Sequence, residues 1–226
     1  MSDRLDLRLI VITDAALAAP RSVDDVVLAA LAAGAPAIQL RDKRGHAAAL
    51  LETAARLRIL TRRHRALLFV NDRLDVALAA DADGVHLGPT DLPVAAARRL
   101  APSRFLIGFS TDDPELARAA ADDGADYIGC GAVFGTSSKP EATGEQIGTV
   151  RLREVVEAVP VPVVGIGGVT PDNAAAVAAT GAAGAAVIGA VMSAPDPAST
   201  VAEILLAFDR ERGVDVAGSP DASGQG

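Results

Sequence analysis

The chain has 226 residues, enough for one α/β barrel or one doubly wound domain with a sizeable core. Half of it is hydrophobic. With no Trp, one Tyr and five Phe, however, the core must be aliphatic, and the stacking platforms that single-stranded nucleic acid uses are almost missing. A formal net charge of −8 repels phosphate backbones at long range. Nucleic acid is therefore not an expected partner, and an anionic ligand must be gripped by a local cluster of donors. The single Cys130 excludes an intrachain disulfide and a multi-cysteine metal site, and its apolar neighbours mark it as a core thiol. The N-terminal residues lack the basic and then apolar layout of a signal peptide, and the longest apolar runs are Ala-rich and too short to span a bilayer. The expected location is the cytoplasm, with no membrane partner.

Short β-branched runs alternate with longer amphipathic ones along the chain. Eight strands are predicted: Leu7–Thr13, Ala37–Arg41, Leu67–Asn71, Gly84–Leu87, Phe105–Ser110, Tyr127–Gly131, Pro162–Gly165 and Ala185–Ile188. Each is apolar at nearly every residue, as a strand covered on both faces must be. Between the second and third, Leu50, Ala54, Leu57 and Leu60 recur at helical spacing, with arginines on the other side. Near the end, Val201, Ile204, Leu205 and Phe208 do the same. Asp24-Asp25 and Asp112-Asp113 precede apolar runs and favour helix starts, while Gly34, Gly124 and Gly181 suit left-handed helix ends. Strand and helix repeated eight times without a break in composition predict a single (β/α)8 TIM barrel over residues 1–212. Residues 213–226, rich in Gly, Ser, Asp and Pro, read as a disordered tail. The alternative is an open doubly wound sheet. That fold usually carries its phosphate glycines after strand one, where this chain has none until Gly34.

In a barrel, function sits at the rim where the strands end. Strand two ends in Gln39-Leu-Arg-Asp-Lys43, and a period of two puts Gln39, Arg41 and Lys43 on one side. An amide, a guanidinium and an ammonium there suit an anionic, nitrogen-bearing ligand. Strand three ends in Asn71-Asp72, and Asp91 lies in Gly88-Pro-Thr-Asp91 after strand four. Two carboxylates at neighbouring strand ends, near phosphate donors, suit Mg2+, although each could instead serve as a cap or a turn residue. His86, inside strand four, reads as a packed rim residue. Strand five ends in Ser110. After strand six, Thr136, Ser137, Ser138 and Lys139 form a dense donor patch in a loop long enough to act as a lid. Strand seven runs into Gly165-Ile-Gly167-Gly168 and strand eight into Ile188-Gly189, the common phosphate position of barrels.

With these residues assembled, the chain resembles the thiamine-phosphate synthase (thiamine-phosphate pyrophosphorylase) family over roughly residues 7 to 208. The matching stretches are Ile38-Gln-Leu-Arg-Asp-Lys43, Val70-Asn-Asp-Arg73, Ala82 to Asp91, Gly124-Ala-Asp-Tyr-Ile-Gly129, Thr136-Ser-Ser-Lys139 and Val164-Gly-Ile-Gly-Gly168. The resemblance implies a transferase that joins a pyrimidine methyl diphosphate to a phosphorylated hydroxyethyl-methylthiazole. The products are thiamine phosphate and diphosphate. It implies that Gln39, Leu40, Arg41, Asp42, Lys43, Asn71, Ser110 and Lys139 hold the pyrimidine diphosphate, with Arg41, Lys43, Ser110 and Lys139 catalytic. Asp72 and Asp91 would ligate Mg2+. Thr136, Ser137, Ser138, Gly168, Ile188 and Gly189 would surround the thiazole phosphate.

The chain departs from the family pattern at Pro89, Gly135, Asp112 and Gly189. Relatives often carry a His at the position of Asp112, and the Gly at 189 replaces a typical Ser. Two further readings stay open: a thiazole-tautomerase-like isomerase, and a non-catalytic phosphate-ligand sensor. The expected partners are small phosphorylated molecules. A homo-oligomer stays open as well, because an aliphatic helix face could pair with another chain.

Overall fold

A computed structural model describes residues 5–135 and 146–213. The first half of the chain supplies β1 (Leu9–Ile12), α1 (Ala15–Ala18), α2 (Val23–Ala32), β2 (Ala37–Leu40), α3 (Ala47–His64), β3 (Leu67–Asn71), α4 (Leu74–Ala79), β4 (Gly84–Leu87) and α5 (Val94–Leu100). The second half supplies β5 (Leu106–Ser110), α6 (Pro114–Asp122), β6 (Tyr127–Gly131), α7 (Gly148–Ala158), β7 (Val163–Ile166), α8 (Ala174–Ala178), β8 (Gly184–Val187), α9 (Gly189–Met192) and α10 (Pro197–Glu211). The strands pair in chain order, all parallel, and β8 returns to β1 with Val11 opposite Val187. The sheet is a closed (β/α)8 barrel, so the open-sheet alternative is excluded.

The eight predicted strands are all present, with ends that shift by a residue or two. Leu7 and Thr13 flank β1, and Arg41 lies just past β2. The last two strands are displaced by one residue because their ladders are set by pairing: Val163 with Ile128, and Gly184 with Val164. The buried face of α3 is Leu50, Ala54, Leu57 and Thr61; Leu60 is half-buried. From Leu57 the inward position is four residues on, and the Thr61 hydroxyl satisfies itself on the Arg58 carbonyl at 3.2 Å. Asp113 caps α6 as expected, but α2 is capped by Ser22, so Asp24 and Asp25 fall inside its first turn. Gly34, Gly124 and Gly181 have φ of 93°, 101° and 86°, as left-handed helix ends require.

The core is aliphatic, with Tyr127, Phe69 and Phe208 among its largest fully buried side chains. Cys130 is fully buried. Burial, and next the charge of Asp112, push its thiol up to about 12, so it is no nucleophile at neutral pH.

Clamps fasten the N-terminal ends of the strands. Asp83, just before β4, accepts from the Leu68 N–H at 2.8 Å and from both terminal nitrogens of Arg58 on α3 at 2.7 and 3.0 Å. Asp126, just before β6, repeats the device with the Ile107 N–H and Arg98 of α5. Arg8 joins Asp6 to Asp209 on α10 and so ties the first strand to the last helix. With this end fastened, the opposite rim is left to the loops that build a site.

Candidate active site

A cavity of about 1060 Å3 opens at the C-terminal ends of the strands. Arg41 and Lys43 line it from the β2 end, Asn71 and Asp72 from β3, Asp91 from the loop after β4, and Ser110 from β5. Gly168, Ile188 and Gly189 line it from β7 and β8. These residues come from six of the eight strand ends, which is why sequence separation hides their proximity.

The β2 end is built locally. Thr13, fully buried past β1, accepts from the Arg41 N–H at 3.0 Å and so fixes where Arg41 leaves the sheet. Gln39 is 2 % exposed and lies inside the barrel beside Tyr127 rather than on the cavity wall. Leu40 is buried in the core. The Asp42 carboxylate accepts from the Arg44 and Gly45 N–H groups at 2.9 Å, an Asx-type turn that shapes the loop after β2.

Asp72 sits at φ 64°, a left-handed conformation that turns the chain sharply off β3, and its N–H donates to the His86 carbonyl at 2.8 Å. Its carboxyl lies within hydrogen-bond reach of Asp91. Burial, then the bond to Asp91 and its charge, raise the Asp72 carboxyl to about 6, against the opposing pull of Lys43 and Arg41. Asp91 also accepts from the Gly88 N–H at 2.7 Å, so it shapes its turn and faces Asp72 at once. A carboxylate pair that resists double ionisation, with two cations near, is a donor set that a divalent cation fits. Among the described residues no three His, Cys, Asp or Glu side chains cluster as a metal site, so a cation there would draw its remaining ligands from water and substrate.

Across the cavity, Gly167 and Gly168 have φ of 97° and 66°. A Cβ on Gly168 would press on the Phe134 and Gly135 carbonyls, so only glycine lets these two turns meet. Asn173 holds the glycine turn by donating to the Gly168 carbonyl and accepting from the Thr170 N–H, both at 2.9 Å. Gly189 is the first residue of α9, where the helix itself makes no use of its N–H. Thr136, Ser137, Ser138 and Lys139 lie outside the described residues, as does most of the loop expected to act as a lid.

Two polar residues have partners that their places in the sequence do not disclose, although His86 is the packed rim residue of strand four that was expected. His86 lines the cavity floor and bonds Ser110 Oγ at 2.7 Å and the Tyr127 hydroxyl at 2.9 Å. Tyr127 is wholly buried, and burial pushes its phenol far above the ordinary range while the Gln39 amide opposes this. In the sequence Tyr127 stands out as the one tyrosine of an aliphatic chain and as part of the Gly124-Ala-Asp-Tyr-Ile-Gly129 stretch, and neither signal places it beside His86.

The fold and the rim together define a (β/α)8 barrel with a mouth whose chemistry suits phosphorylated ligands: cations and a carboxylate pair on one side, a glycine turn and a helix start on the other. A family model for thiamine monophosphate synthase matches residues 9–191. A thiamine-phosphate synthase of Roseiflexus castenholzii is 51% identical over 187 residues, covering 83% of this chain and 82% of that protein. The thiamine biosynthesis bifunctional protein ThiM/ThiE of Symbiobacterium thermophilum is 52% identical over 213 residues; the match takes in 94% of this chain but only 43% of that longer protein. Among solved structures, thiamine phosphate pyrophosphorylase from Pyrococcus furiosus superposes with a TM-score of 0.84 at 45% identity, covering 92% of this chain and 98% of that one. The chain belongs to the thiamine monophosphate synthase family.

Proposed function

We propose that the chain is a thiamine-phosphate synthase, a transferase that condenses 4-amino-2-methyl-5-(diphosphooxymethyl)pyrimidine with 4-methyl-5-(2-phosphooxyethyl)thiazole. The observation that carries this reading is the convergence of Arg41, Lys43, Asp72 and Asp91 from three consecutive strand ends, facing the glycine turn after β7 in one cavity. One side suits a diphosphate and the other a monophosphate, with room for two rings between.

In the reaction the methylene C–O bond breaks and the diphosphate leaves with the electron pair. The thiazole nitrogen then forms the new C–N bond, after the pyrimidine's own ring amine has stabilised the cation. No protein nucleophile is required. Arg41, Lys43 and Lys139 neutralise the growing charge on the diphosphate, Ser110 donates to it, and Asn71 assists. Asp42 shapes the loop after β2 on the pyrimidine side, and Gln39 and Leu40 support that strand end from behind the cavity wall. Gly168, Ile188 and Gly189 offer backbone donors to the thiazole phosphate, helped by Thr136, Ser137 and Ser138. Mg2+ held by Asp72 and Asp91 would supply further neutralisation of the leaving group. Catalysis is positioning plus electrostatics.

The partners on this reading are small phosphorylated molecules, and the compartment is the cytoplasm. No described helix is long and apolar enough to cross a membrane. The deciding experiment mixes purified protein with both substrates and Mg2+, with an EDTA control, and follows thiamine phosphate and diphosphate by chromatography. Metal-dependent product is expected. Folded protein that binds the thiazole phosphate but makes no product would favour the isomerase or the sensor.

A further inference from the structure

The interior of β4, β5 and β6 holds a polar chain that crosses three strands. His86 of β4 stands opposite Gly108 of β5, and Gly108 stands opposite Tyr127 of β6. A Cβ on Gly108 would overlap both the Tyr127 ring and the His86 ring. Its absence lets the imidazole reach over β5 to a residue two strands away. Ser110 stands opposite Gly129, and a Cβ there would press on His86 Cε1 at 3.0 Å. Two glycines therefore clear the space in which His86 Nδ1 meets the Tyr127 hydroxyl at 2.9 Å and Nε2 meets Ser110 Oγ at 2.7 Å. Phe69 packs edge-on against Tyr127 with ring centres 5.3 Å apart and holds the phenol in place.

A neutral imidazole has one donor and one acceptor nitrogen, so this chain runs in one of two directions. The Tyr127 phenol is buried and stays protonated, and the Gln39 amide approaches its oxygen. An amide N–H there occupies an acceptor site of the phenol and leaves the O–H to point at His86 Nδ1. Nε2 then carries the ring proton and donates to Ser110 Oγ. With that lone pair taken, the Ser110 O–H turns away from His86 and into the cavity.

We propose that His86 is a positioning residue that, oriented by Tyr127, fixes the Ser110 hydroxyl as a hydrogen-bond donor aimed at an anionic oxygen of the bound diphosphate. The reverse direction would turn Ser110 lone pairs toward that anion. The identity of the anion rests on the proposed function; the direction of the chain does not.

The test has one arm that needs no substrate. Nitrogen-15 histidine spectra of the unliganded protein, assigned against His86→Gln, should show a neutral His86 ring protonated at Nε2. Tyr127→Phe, which keeps the ring packing, should disturb that pattern. A proton on Nδ1, in a neutral or a cationic ring, overturns the proposal. The second arm is a double-mutant cycle on thiamine phosphate formation. Ser110→Ala should lower kcat on the order of 10²-fold and Tyr127→Phe about tenfold, with the thiazole KM unchanged in both. In the Ser110→Ala background, Tyr127→Phe should cost nothing further. Additive losses would mean that Tyr127 supports only the fold, and would overturn the proposal. Absence of product from the unaltered protein would sink the functional reading and leave the spectra to decide the relay.

Discussion

Asp72 holds a left-handed backbone that non-glycine residues adopt at a cost on the order of 1 kcal/mol or more. The turn places its carboxyl against Asp91, so strain and like-charge contact are both spent on one spot. Asn tolerates the same backbone and removes only the charge. Asp72→Asn should therefore leave the melting temperature unchanged or slightly higher, while the Mg2+ concentration for half-maximal activity rises at least the roughly 10–100-fold that loss of a supporting group costs. Thermal melts and a metal titration would check this. Loss of stability without a change in metal requirement would remove the pair from the metal site. Thr13 makes a different case. Thr13→Val keeps the shape but strands the Arg41 N–H, at a cost of about 1–3 kcal/mol. The KM of the diphosphate substrate should rise with no change in that of the thiazole. The cations and carboxylates of the rim were readable in the sequence as polar breaks at the ends of apolar runs. His86 and Tyr127 were not, because their roles exist only through the β4–β5–β6 register and the missing Cβ of Gly108.

At the scale of elements, the strands were legible because both faces of each are covered, which turns them into unbroken apolar runs. Their ends were less legible, since a ladder stops where its neighbour stops. Helices α1 and α9, four residues each, were not anticipated, being too short for any periodicity; α1 is started by Asp14, which accepts from the Ala16 and Leu17 N–H groups, whereas α9 begins at Gly189 with no side-chain cap. The stretches Ala82-Asp-Gly-Val and Ala125-Asp-Tyr-Ile were legible as family signatures, but their work is to fasten the fold. Each Asp binds the start of the preceding strand and an Arg of the helix that leads into that strand. Arg98 also donates to the Gly124 carbonyl at 2.8 Å and the Phe105 carbonyl at 2.7 Å. Arg98→Met keeps the aliphatic stem and loses these bonds. It should cost about 1–3 kcal/mol, or about 2–4 °C of melting temperature per kcal/mol. Because the clamp lies at the rim away from the cavity, kcat at saturating substrate should not change. A fall in kcat without a fall in stability would show that the two ends of the barrel are coupled.

The whole molecule depends on closure, and closure depends on β1 meeting β8 with α10 packed behind them. Arg8 stands at that seam, 2.8 Å from Asp6 and 2.6 Å from Asp209. Burial pushes the Asp6 carboxyl up, but the Arg8 side chain and N–H together with the charges of Arg8 and Arg212 outweigh it and hold the group below its ordinary value of 3.8. The unfolded chain therefore takes up this proton before the folded one does. The contribution to stability is complete above pH 3.8 and is lost as pH falls through the lower, folded value. Asp6→Asn should consequently melt below the unaltered protein by a constant margin from neutral pH down to about 5, and the margin should shrink below that as both carry an uncharged group. Melts across that range give the answer directly. A margin that persists at the acid end would mean that the seam is held by the hydrogen-bond pattern that Asn fails to reproduce, with the charge of Asp6 contributing little to closing the barrel.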